Sequence, residues 1–200
     1  MAQASKSYKY YLFNKPYDVM SQFSKDQHDQ KSLKDYLKVP TDVYPVGRLD
    51  KDSEGLLLLT NDPSLNAMIL NPSKKLAKTY WVQLEGIPDT NRLQILKTGV
   101  KIRIDSKEYL VKALAVKKLD SIPALHPRIP PIRFRKTIPD CWIEISIDEG
   151  KNRQIRRMLA AIGYPVLRLV RVSIGKLQLI DLEPGMSREI TKNELTSNLR

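Results

Sequence analysis

Gly47-Arg48-Leu49-Asp50-Lys51-Asp52-Ser53-Glu54-Gly55-Leu56-Leu57-Leu58-Leu59-Thr60-Asn61-Asp62 is the stretch from which the rest of the chain is read. Val43 to Leu49 and Gly55 to Asn61 both read as strands, with Asp50-Lys51-Asp52-Ser53 as a polar turn between them. Asp62-Pro63 then supplies an N-cap and a proline at the first helical position, predicting a helix to about Leu70. A carboxylate that ends one apolar strand and sits on a turn into another is displayed at a sheet edge. Two readings of Asp50 stay open on these grounds. Asp50, Asp52 and Ser53 can be turn residues that satisfy local backbone donors, or Asp50 can be a displayed chemical group. Arg48, two residues earlier, shares a strand face with Asp50 and favours the second.

Working outward, Lys9 to Phe13 is an apolar, aromatic strand broken at Pro16, and Ser32 to Val39 has the spacing of a short helix. Thr79 to Leu84 is strand-like. Pro88-Asp89 opens a helix with Leu93 and Leu96 inward and Gly99 as its stop. Val100 to Ile104 and Tyr109 to Leu119 resemble a hairpin. Ile122 to Pro139 holds prolines at 123, 127, 130, 131 and 139, together with Arg128, Arg133, Arg135 and Lys136, so it reads as an extended basic loop. Cys141, Ile143, Ile145 and Ile147 alternate with polar residues, as a strand requires. Gln154 to Ile162 is helical up to Gly163, and Val166 to Leu179 is a long strand. Strands outnumber helices and short turns join many of them, which predicts an α+β domain on a long, mixed, largely antiparallel sheet with flanking helices.

The 200 residues carry 34 Lys and Arg against 22 Asp and Glu, a net charge of +12. Such an excess points to a polyanionic partner. The single Cys141 cannot form an internal disulfide, which suits a reducing, cytoplasmic setting. No apolar run approaches a membrane span, and the first residues lack a signal-peptide core. His28 and His126 are far apart, no Cys/His cluster has zinc spacing, and no glycine-rich phosphate loop occurs, so neither a metal nor a nucleotide cofactor is expected.

Two further constellations carry charge or aromatic chemistry. In Gly150-Lys151-Asn152-Arg153-Gln154-Ile155-Arg156-Arg157-Met158, a helix would place Arg153, Arg156 and Arg157 at i, i+3 and i+4, opposite the apolar stripe. Between Lys151 and Lys176 there are seven basic residues and no acidic one. A solvated face would intersperse acids, so an anion such as backbone phosphate is the better explanation. Lys78-Thr79-Tyr80-Trp81 sets aromatics beside lysines, as in nucleobase stacking sites. Aromatics in strands are also common core residues.

Together these segments resemble the pseudouridine synthases that modify bacterial ribosomal RNA, the RsuA family. The likeness runs from Phe13-Asn14-Lys15-Pro16 through the Gly47 to Asp62 stretch, Lys78-Thr79-Tyr80 and Gly150 to Met158, and on to Gly163-Tyr164-Pro165. The linker from Pro130 to Pro139 looks most like the large-subunit members. The resemblance implies that the chain isomerises a specific uridine of large-subunit ribosomal RNA, without a cofactor, on the pseudouridine synthase core. It also implies that Asp50 is the catalytic aspartate, that Tyr80 packs against the target base, and that Arg156 pairs with the aspartate. Arg48, Arg153, Arg157, Lys15, Arg133, Arg135 and Lys136 are the expected RNA contacts. The expected layout is a disordered tail over residues 1–7, one catalytic domain over 8–190, and a C-terminal tail over 191–200, acting as a monomer. Many relatives carry a small N-terminal RNA-binding domain, for which residues 1–7 leave no room, so the catalytic domain itself is expected to grip RNA. Pro63 stands where relatives often have glycine, which is expected to alter the turn and not the site.

Overall fold

The computed structural model describes residues 7–25, 27–133, 135 and 137–199. The strands are β1 (Tyr10–Lys15), β2 (Val19–Met20), β3 (Lys31–Ser32), β4 (Tyr44–Pro45), β5 (Glu54–Thr60), β6 (Lys78–Glu85), β7 (Val100–Ile104), β8 (Lys107–Val111), β9 (Ala115–Lys118), β10 (Asp140–Ile147), β11 (Val166–Ile174), β12 (Leu177–Gln178) and β13 (Ser187–Ile190). The helices are α1 (Pro63–Leu70), α2 (Thr90–Thr98), α3 (Gln154–Ala161) and α4 (Lys192–Asn198). One nine-stranded sheet runs β13-β1-β5-β11-β6-β10-β9, with β4 added to β5 and β12 to β11. Only the β5–β11 pairing in this sheet is parallel, which makes it mixed and mostly antiparallel.

The four leucines Leu56 to Leu59 are fully buried because β5 is covered on both faces. Leu56 and Leu58 enter a core with Leu12, Leu65, Ile69 and Leu195, while Leu57 and Leu59 enter another with Phe13, Leu33 and Val43. Burying each leucine is worth about 1.5–3 kcal/mol, so this strand anchors the turn that precedes it. Gly55, at φ +102°, meets β11 so closely that a Cβ would lie 2.3 Å from the Arg171 carbonyl oxygen. Only glycine permits that parallel contact. Behind the turn, Glu54 and Arg168 form a buried two-pronged ion pair of 2.9 and 2.8 Å across β5 and β11.

Several elements differ from the sequence reading. The helix expected over Ser32 to Val39 is a single 3-10 turn, Leu33–Asp35, since Pro40 limits the segment and eight residues are too few to hold a free helix. The strand expected over Val43 to Leu49 shrinks to β4, because Pro45 has no N–H and Gly47 turns to φ +71°. The segment Tyr109 to Leu119 divides, with β8 in a hairpin with β7 and β9 on the edge of the main sheet. Residues 191–200, expected as a tail, contain α4, whose Leu195 is buried in the core. Thr191 caps that helix by accepting from the Glu194 N–H, a Thr-x-x-Glu start that is visible in the sequence. The expected N-terminal tail falls, for residues 1–6, outside the described residues. Among the described residues, no helix is long and apolar enough to cross a membrane.

Asp62 shows how α1 is started. Its carboxylate is 1% exposed and accepts from the N–H groups of Ser64 and Leu65, from the Tyr10 hydroxyl at 2.8 Å and from Lys192 at 3.3 Å. Burial pushes this carboxyl up, but the bonds from Ser64, Tyr10, Leu65 and Lys192 outweigh it and hold it at about 2. A folded value below the unfolded one adds stability that is complete above about pH 4 and is lost as the pH falls toward 2. Urea unfolding should therefore show about 2 kcal/mol of stability disappearing over that window. Asp62→Asn should lack this component; equal pH slopes in the two proteins would exclude Asp62 as its source.

Candidate active site

The Asp50 to Ser53 turn is held by groups that come from distant parts of the chain. The Ser53 N–H donates to the Asp50 carbonyl at 3.0 Å, and the Lys51 carbonyl accepts from the Asp18 N–H at 2.9 Å and the Lys15 ammonium at 3.3 Å. Just before the turn, the Ser21 hydroxyl donates to the Leu49 carbonyl and accepts from the Leu49 N–H, at 2.8 and 3.1 Å. Arg156 donates to the Asp52 carbonyl at 2.7 Å and to the Val166 carbonyl at 3.4 Å, and its Nε stands 3.3 Å from the Asp52 carboxylate. Arg153 grips both oxygens of that carboxylate at 2.8 and 2.7 Å. Burial raises the Asp52 carboxyl, but the Arg153 hydrogen bonds and the charges of both arginines hold it below the ordinary carboxylate range.

Asp50 is left comparatively free. Its carboxylate is 35% exposed, and among the described residues the only cation within 4 Å of it is Arg153, at 3.9 Å. It faces a cleft of about 670 Å³ whose wall also includes Arg48, Ser53, Tyr80, Lys151 and Arg153. Tyr80 comes from the middle of β6, opposite Ile145 of β10, and is 8% exposed, so its ring is both core and cleft floor. The buried Ser53 hydroxyl has no hydrogen-bond partner among the described residues. A carboxylate, an aromatic ring and a guanidinium that line one cleft can supply a nucleophile or base, a flat surface and a positive charge to one ligand.

The arginine-rich segment is arranged differently from the helical reading. Arg153 is the N-cap of α3, at φ 50° and ψ 33°, so it precedes the helix instead of lying on its face. That left-handed conformation costs about 1–2 kcal/mol for a non-glycine residue. Direct approach to Asp50 falls to Arg153, whereas Arg156, expected to pair with Asp50, is directed at Asp52 and the turn backbone. Arg157 donates to the Arg103 and Asn152 carbonyls at 2.5 and 3.2 Å, tying α3 to β7, and it lines no part of the cleft. Gln154, which the sequence reading passed over, is buried and bonds the Lys151 N–H and Glu149 at 3.0 and 2.7 Å, fixing the loop that frames the cleft.

Lys15, an expected RNA contact, lies inside. It is 0% exposed and donates to the Pro16, Val19 and Lys51 carbonyls at 2.9, 2.8 and 3.3 Å. Burial pushes its ammonium down to about 7, against the pull of Glu54, Asp52, Asp50 and Asp18. β1 is buried on both faces, with only Tyr11 half-exposed, so no local alternation marks Lys15 as inward, and its charge made it look like a surface group. Arg48 is exposed, donates to Gln22 at 3.4 Å and lines the cleft. The linker crosses the opposite side of the sheet. Arg135 pairs with Glu85 at 2.6 Å, Arg168 donates to the His126 carbonyl, and Arg128 stacks 4.2 Å over Tyr17. Gln83 and Glu85 alternate with Tyr80 along β6 and so face away from it. Arg133 and Arg135 share a small cavity with those residues that contains none of the cleft residues. Lys136 lies outside the described residues.

The chain belongs to the RNA pseudouridylate synthase family, a family of RNA-modifying isomerases, whose model matches residues 9–161. Within it, the chain is 50% identical over 177 residues to the ribosomal large subunit pseudouridine synthase E of Xanthomonas campestris pv. campestris, covering 88% of this chain and 92% of that protein. It is 36% identical over 191 residues to the ribosomal large subunit pseudouridine synthase B of Bacillus subtilis, covering 93% of this chain and 69% of that protein. The fold superimposes on a crystal structure of a pseudouridylate synthase with a TM-score of 0.77 at 28% identity, over 97% of this chain and 74% of that one.

Proposed function

We propose that this chain isomerises a specific uridine of large-subunit ribosomal RNA, with Asp50 as the reacting carboxylate and Tyr80 as the surface that holds the base. The observation that carries the assignment of Asp50 is its availability: Asp52 is gripped by two arginines, while Asp50 opens onto the cleft above Tyr80. Large-subunit RNA is supported by the names of the relatives at 50% and 36% identity. The cytoplasm is the compartment in which Cys141 stays a free thiol.

The reaction breaks the bond from ribose C1′ to N1 and makes one from C1′ to C5. The C5 proton is lost and N1 ends protonated, so the product is an isomer and no oxidant or energy source is consumed. The target base must first leave its stack, at a cost of a few kcal/mol that contacts in the cleft offset. Asp50 acts on the ribose either by attack at C1′ or by removing the C2′ proton, and both routes start from the ionised carboxylate in the same place. The Arg153 guanidinium stands 3.9 Å from that carboxylate. Tyr80 keeps the detached uracil facing C1′ while it turns.

The test is release of tritium from uridine C5, using ribosomal RNA from cells that lack this protein. Release during single turnover supports the proposal; tight binding without release would instead favour a non-catalytic RNA-holding role. Tyr80→Phe should keep its activity within about tenfold, whereas Tyr80→Leu, which fills the core but offers no flat face, should lose about 1–3 kcal/mol of base contact. Equal losses in the two variants would assign the role to the hydroxyl.

A further inference from the structure

Beside the catalytic cleft, at the ends of β6 and β10, lies a second groove of about 760 Å³. Gly150 and Lys151 line both, so the two form neighbouring compartments on either side of one loop. The groove gathers Lys75, Lys78, Lys112 and Lys151 around the apolar surfaces of Leu70 and Leu110, which are 50% and 72% exposed. Of its two acids, Glu149 is already held by Lys151 at 2.5 Å and by Gln154 at 2.7 Å. That leaves Asp148 facing the remaining lysines. Among the described residues, Lys75, Lys78 and Lys112 have no carboxylate within ion-pair distance.

Lys78 is the most telling of these. It is half-buried, donates among the described residues only to the Leu76 carbonyl at 3.0 Å, and is pushed down by burial and by the charge of Arg171, with Asp148 opposing. Arg171 is itself 4% exposed, and its Nη2 has no hydrogen-bond partner among the described residues. Cations crowded together without acids repel one another, and a bound polyanion relieves that repulsion. Exposed leucines among lysines suit a ligand that alternates charged and flat apolar parts.

We propose that this groove binds the single-stranded ribose-phosphate chain next to the target uridine, with Lys75 and Lys112 on phosphates and Leu70 and Leu110 against sugar or base. This assignment rests on the isomerase reading only for which nucleotide lies next door; RNA binding in the groove stands on its own charges.

The test is binding of unmodified ribosomal RNA fragments across a salt series, followed by fluorescence anisotropy. It compares wild type, Lys75→Ala/Lys112→Ala and Lys75→Arg/Lys112→Arg, with Lys34→Ala/Lys38→Ala as a control lining neither compartment. Each lost phosphate contact removes about 0.7 from the salt slope, so the alanine pair should lose roughly 1.4. The arginine pair should keep the slope, and at saturating RNA the alanine pair should show its loss in KM and not in kcat. An unchanged slope in a folded alanine pair overturns the proposal. Tritium release by wild type with an unchanged slope removes the groove alone. A lost slope without tritium release by wild type removes the isomerase reading and keeps the groove as an RNA site.

Discussion

Asp50→Asn should end tritium release while leaving the fold and RNA binding in place. The amide copies the size and shape of the carboxylate but can neither form an ester at C1′ nor take a proton from C2′. A positioned acid–base group contributes about 10²–10⁴-fold, and a lost nucleophile removes more, so single-turnover release should fall below detection. The fold should be spared because the turn uses the Asp50 carbonyl, which accepts from the Ser53 N–H, and not its carboxylate. A partly exposed side chain whose nearest cation among the described residues is Arg153 at 3.9 Å should change stability by no more than about 0.5 kcal/mol. Binding should hold or tighten, since a negative charge leaves a cationic cleft. Turnover within tenfold of wild type would exclude Asp50 as the reacting group, and loss of circular dichroism would return it to the role of turn residue.

Arg156→Ala should lower kcat by about 10²-fold, with a much smaller change in KM. Arg156 touches the turn backbone at Asp52 and the β11 end at Val166, and it stands behind Asp50 instead of against it. Its removal frees the turn that aims Asp50, and a displacement on the order of 1 Å is enough for such a loss. It also leaves Asp52 with Arg153 alone. Arg156→Lys keeps the charge but cannot reach two carbonyls and a carboxylate from one planar fork, so it should recover only part of the rate. Full recovery with lysine would mean that charge alone matters. A loss confined to KM would make Arg156 a substrate contact and not a positioning residue.

Much of the scaffold was legible because local patterns and tertiary demands agreed. The alternation of Cys141, Ile143, Ile145 and Ile147 made β10, and Asp62-Pro63 and Asp89 started α1 and α2 where their caps said they would. The misreadings share a cause. Val43 to Leu49 looked extended, but Pro45 and Gly47 lead the chain away from the sheet, and Leu49 bonds Ser21 instead of a strand neighbour. The residues after Ile190 looked like a tail because their one large buried group, Leu195, has value only against a core built by other segments.

The site divides in the same way. The amino-acid order alone determined that a carboxylate at Asp50 stands on a turn between apolar segments, that an aromatic at Tyr80 lies on a strand, and that the segment from Lys151 carries an excess of cations. These follow from side-chain type and spacing, which act over a few residues. Which arginine meets which aspartate was decided only in the folded molecule. Arg153 and Arg156 lie 101 and 104 residues from Asp52, and the fold brings Arg153 onto its carboxylate and Arg156 onto its carbonyl. The folded chain likewise turned Lys15 inward onto three carbonyls, placed Arg135 behind the sheet, and gathered Lys75, Lys78 and Lys112 beside the cleft. A charge in a sequence has a sign but no direction, and direction comes from the strand face, the helix start and the partner that packing brings within hydrogen-bonding distance.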